Sequence, residues 1–82
     1  MNFLIERFIN NLTMEDLAAH AFKNDIHLSE SELVFSYNFI KNHYREVMKN
    51  PESFDFQDYA GYYSEENYIK INDLINKYRH FL

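Results

Sequence analysis

The stretch from Ser29 to Pro51 does most to limit what this chain can become. Ser29-Glu30-Ser31-Glu32 has the form of a capping box, in which a serine hydroxyl and a glutamate three residues later each bond the other's backbone amide at a helix start. Pro51 closes the stretch, because the residue before a proline avoids helical geometry. Between them Leu33, Tyr37, Ile40, Tyr44 and Val47 step by four, three, four and three residues, the spacing of one helix face. Phe35 and Phe39 flank that stripe, as do Val34 and Met48. The spacing predicts a helix over Glu30–Lys49, about 30 Å long. In a chain of 82 residues such a helix is the spine of the fold.

The remainder keeps the same periodicity. One Gly and one Pro in the whole chain argue against a turn-rich β architecture. A first helix is predicted over Asn2–Asn10, where Phe3, Leu4, Ile5, Phe8 and Ile9, with Leu12 beyond, leave little polar face. Such a helix needs cover on more than one side. Thr13 reads as an N-cap, with Glu15 and Asp16 complementing the positive end of the helix dipole. Leu12 and Leu17 fit a hydrophobic staple around it. The second helix, Met14–Lys23, carries the stripe Met14, Leu17, Ala18, Ala21 and Phe22, and Asn24-Asp25 ends it. Ile26 and Leu28 alternate with polar residues in the connector that follows.

Residues 52–64 admit two readings. Ser53 caps a short helix over 54–60 that Gly61 terminates, or the stretch is an ordered aromatic loop. Ser64 is a further cap, with Glu65 and Glu66 in the first turn of a last helix that runs to about His80. Tyr68, Ile71, Ile75 and Tyr78 share one face of it, with Leu74 and Phe81 beside them. The expected fold is all-α: one domain over residues 1–82, a small bundle of four to five helices, the third being the longest.

A chain this short buries only about 60–65% of its unfolded surface. With no cysteine there is no disulfide to compensate, so eight Phe and seven Tyr must supply the packing. The net charge is −5, and it is local: residues 50–69 hold Glu52, Asp55, Asp58, Glu65 and Glu66 without a Lys or Arg, while the rest is balanced. Acidic balance disfavours phosphate backbones and anionic lipid. No apolar run approaches the 20 or so residues of a membrane span, and the N-terminus lacks a secretory pattern. The cytoplasm is the expected compartment.

No constellation of residues nominates chemistry. His20, His27, His43 and His80 lack metal-site spacing, and no cysteine assists them. Asp25, Glu30 and Glu32 near an interhelical turn lack the loop spacing and glycine of a calcium-binding loop. There is no phosphate-cradling loop and no nucleophile elbow. The expectation is a protein without catalytic residues, metal or cofactor. It acts through protein–protein contact or self-association, and a homodimer is one outcome that its apolar surplus allows. Asp55, Asp58, Tyr59, Tyr62, Tyr63 and Glu65 are the candidate partner-binding set, with tyrosines as anchors and carboxylates to steer a basic partner. The same rings could instead close the core. The alternative is a helix-turn-helix DNA-binding regulator built from residues 13–45. Against it, the first turn of the would-be recognition helix is acidic, and Lys41, Arg45 and Lys49 come late.

Ile9-Asn-Asn-Leu-Thr13, Asp16-Leu17, Ile26-His-Leu-Ser29, Glu32 and Ile40-Lys41 resemble the YqfT-type family of small Gram-positive bacterial proteins, a domain of unknown function. The resemblance covers the first half and implies a small helical protein in a bacterial cytoplasm. It carries over no functional residue, and the aromatic stretch 54–63 departs from it.

Overall fold

The structure is a computed structural model that describes residues 3–79. It is all-α: α1 (Phe3–Asn10), α2 (Met14–Lys23), α3 (Glu30–Lys49), a 3₁₀ turn (Pro51–Ser53), a 3₁₀ helix (Phe56–Tyr62) and α4 (Glu65–Arg79). α3 is the longest, as its pattern requires. Asn2, His80 and Phe81, assigned above to the end helices, lie outside the described residues. Among the described residues no helix is long and apolar enough to cross a membrane.

The starts are those the caps announce. Thr13 and Asp16 exchange side-chain-to-amide bonds at the head of α2 (3.0 and 3.2 Å). Ser29 and Glu32 do the same at α3 (3.2 and 2.8 Å). The Ser64 hydroxyl accepts from the Asn67 amide at α4. α2 ends in a Schellman turn: the Ile26 amide donates to the Ala21 carbonyl and the Asp25 amide to that of Phe22. Asp25 takes the left-handed position there, with φ of 61°. Glycine usually fills that position, and aspartate is one of the few L-residues that tolerates it. The turn aims the Asp25 carbonyl at α4, where it accepts from Lys70 Nζ at 2.9 Å, with the Asp25 carboxylate at 3.3 Å from the same nitrogen.

Two expectations for the connecting stretch are corrected. Asp55, not Ser53, caps the short helix, by accepting from the Gln57 amide. The Ser53 hydroxyl donates back to the Asn50 carbonyl instead. Gly61 terminates nothing: its φ is not positive, and the 3₁₀ helix runs through it to Tyr62. The first helix is also less covered than its composition demands. Phe3, Leu4 and Phe8 stay 71%, 71% and 54% exposed, and Phe22 of the α2 stripe is exposed as well.

α3 is the axle of the bundle. α1, α2 and the two 3₁₀ segments pack on it, while α4 packs closest on the 3₁₀ helix. Tyr44 on α3 is buried, and Leu33, Tyr37, Ile40 and Val47 of the same stripe are half-buried. Few apolar side chains of the described residues reach full burial; Leu12, Ile26, Tyr44 and Phe56 are the buried ones. Many of the others line an apolar cavity of about 450 Å³ that all four α-helices and both 3₁₀ segments border and that is partly open to solvent. Enclosed and left empty, that volume would cost about 11 kcal/mol at about 24 cal/mol per Å³. The whole stability expected of such a chain is only about 4–12 kcal/mol. Partial opening replaces some of that cost with hydrated apolar walls, which hold water poorly.

Candidate interaction surfaces

The acidic aromatic stretch folds against one flank of α3. Phe35 and Phe39, one turn apart, present adjacent rings. Tyr62 lies flat on Phe35, with centroids 4.0 Å apart and planes 7° apart. Tyr63 meets Phe35 edge-on, and Tyr59 meets Phe39 edge-on at 4.8 Å. Phe56 is buried and stacks on Tyr68 of α4 at 5.1 Å. These rings join the 3₁₀ helix to both α3 and α4.

The six candidate residues therefore divide. Tyr59 and Tyr63 are half-buried, and the Tyr63 hydroxyl shares a 2.6 Å hydrogen bond with that of Ser36. Burial raises the Tyr63 pKa, the Ser36 bond opposes that, and the nearby Glu32 charge adds to it. Tyr63 is thus a neutral phenol in ordinary buffers. Tyr62 is 56% exposed over the Phe35 ring it covers. Asp55, Asp58 and Glu65 are exposed, Asp55 being also a cap.

Glu32 does more than its capping box foretold. Its carboxylate accepts from the amides of Ser29 (2.8 Å) and Ser64 (2.7 Å) and from Asn67 Nδ2 (2.8 Å). Asn67 Nδ2 also donates to the His27 carbonyl. Glu32 and Asn67 are both buried, so the starts of α3 and α4 share one polar junction. Burial pushes the Glu32 carboxyl up, but its N–H donors outweigh burial and hold it below the ordinary 4.5. Nothing local in the sequence connects Glu32 with Ser64; only the Ser-x-x-Glu and Ser-x-x-Asn repeats hint at paired caps.

α1 docks by polar ties. Glu6 accepts from Arg45 at 2.6 Å and from the Tyr44 hydroxyl at 3.3 Å. Lys41 Nζ donates to the carbonyls of Ile9 and Asn10 at the negative end of α1. Held this way, α1 turns Phe3, Leu4 and Phe8 outward. Leu4, Phe8 and Leu12 floor a shallow surface depression of about 350 Å³ that Arg7, Asn11 and Asp16 edge. Phe8 also meets the His20 ring edge-on. Composition marked α1 as apolar; which side would stay uncovered depended on Lys41 and Arg45, more than thirty residues away.

No protein-family model, curated protein or solved structure matches this chain.

Proposed function

We propose that this chain is a non-enzymatic helical interaction protein, set in the cytoplasm, that self-associates through the outward face of α1. The observation that carries this reading is the exposure of Phe3, Leu4 and Phe8 on an amphipathic helix whose polar side is already tied to α3. A contiguous apolar face of this kind marks an interface. Its rim suits a second copy. Arg7 and Asp16 sit on the border of one depression, so a two-fold pairing can set Arg7 of one copy against Asp16 of the other. Six of the thirteen carboxylates are engaged structurally, as caps (Asp16, Glu32, Asp55) or ion pairs (Glu6, Asp25, Glu66), which supports a role without catalysis.

At micromolar concentration the chain should sediment with twice its 10.0 kDa mass. The double variant Leu4→Glu, Phe8→Glu should sediment as a monomer and keep its helicity, since neither side chain is buried. A wild-type monomer throughout the micromolar range would remove this reading.

Tyr62 favours a second contact. It remains exposed on Phe35 within the stretch that carries the net charge, an arrangement suited to a basic protein segment. Tyr62→Ala should weaken low-salt capture of basic partners from host lysate and cost about 0.5–1.5 kcal/mol of stability, the worth of its stack on Phe35. Unaltered capture would count against this face. The DNA-binding alternative gains no support, because the first turn of α3 presents Glu30 to solvent and ties Glu32 to Ser64 and Asn67.

A further inference from the structure

Neither association surface uses the 450 Å³ cavity. We propose that it binds an uncharged hydrophobic molecule with one hydrogen-bond acceptor, of the class of long-chain alcohols, ketones or esters. The size is that of a small-molecule site. The walls come from every helix, with Ile9, Ile26, Ile40, Val47, Leu74 and Ile75 representative, and no Lys, Arg, Asp or Glu lies among them. A charged head drawn inside would lose its water with nothing to replace it. One wall carries the Ser36 and Tyr63 hydroxyls. Two hydroxyls that share one hydrogen bond retain one O–H proton between them. That proton can meet a carbonyl or hydroxyl oxygen. The Glu32 carboxylate lies close enough to act on Tyr63, so an anion is repelled from the same spot. The other polar liners offer less: His20, Asn24 and Tyr78 are exposed, the Asn24 amide already donates to the His20 carbonyl, and the Tyr44 hydroxyl donates to Glu6.

Fluorescence titration of the full chain with N-phenyl-1-naphthylamine, a neutral dye, tests this. One dye per chain should bind saturably, and 1-dodecanol should displace it. Dodecanoate at neutral pH should compete at least about tenfold less well, because its charge cannot enter. The double variant Ser36→Ala, Tyr63→Phe, which leaves no hydroxyl on that wall, should weaken dodecanol competition about fivefold, the worth of one hydrogen bond, and leave dye affinity unchanged. Ala21→Phe should narrow the space and weaken dye binding; should either variant not fold, the dodecanoate comparison decides. Non-saturable binding, equal competition by dodecanoate, or indifference to loss of both hydroxyls would overturn the proposal. So would loss of dye binding in the Leu4→Glu, Phe8→Glu variant, which would place the space between copies.

Discussion

Glu32→Ala is expected to lower the unfolding free energy by about 3–5 kcal/mol. The substitution leaves the Ser29 and Ser64 amides and Asn67 Nδ2 without their shared acceptor at a buried site. Breaking a buried charged network of this kind costs about 3–5 kcal/mol. That is a large part of the about 4–12 kcal/mol expected in total. Ser29→Ala removes only a cap hydroxyl and should cost about 1 kcal/mol. The difference between the two, read from urea denaturation followed by circular dichroism, isolates the tie to α4. Equal losses would reduce Glu32 to a local cap.

The same carboxylate sets an acid limit. Its folded pKa lies below the ordinary 4.5, so its contribution is fully present above that value and lost as pH falls through the lower folded value. Melting temperature should therefore decline below about pH 4.5, and Glu32→Gln should flatten that component of the decline.

Phe56→Ala is the second large effect. Phe56 is buried against Tyr68 and within reach of Tyr63, Tyr59 and Phe54. Removing a buried phenylalanine ring costs about 3–5 kcal/mol. At about 4–8 °C per kcal/mol for a domain of this size, the melting temperature should fall by well over 10 °C. Tyr62→Ala, six residues on, loses one half-exposed stack and should lower it by less than half as much. A matched pair of small shifts would mean that Phe56 does not hold the 3₁₀ helix to α4.

The helices were legible because their signals are local. Thr13, Ser29 and Ser64 are each followed three residues later by Asp16, Glu32 and Asn67, and Pro51 closes the long run. The candidate surface was legible only in part. Tyr59, Tyr62 and Tyr63 stand within five residues of one another, and nothing in that spacing says which faces inward. Their fates follow from Phe35, Ser36 and Phe39, some twenty to thirty residues earlier. Gly61 misled because its terminating role requires a positive φ, and the backbone there does not adopt one. Asp25 took that conformation at the end of α2 instead.

Position 25 is exposed, and exposed positions usually accept almost any residue. Here two demands intersect. The backbone twist that stops α2 also points the carbonyl that Lys70 seizes, and the carboxylate of the same residue completes that grip. Glycine would satisfy the twist and keep the carbonyl but forfeit the charge; a β-branched residue would resist the twist itself. The end of one helix and the placement of another are thus written in a single letter, and the spelling there is far narrower than its exposure would allow.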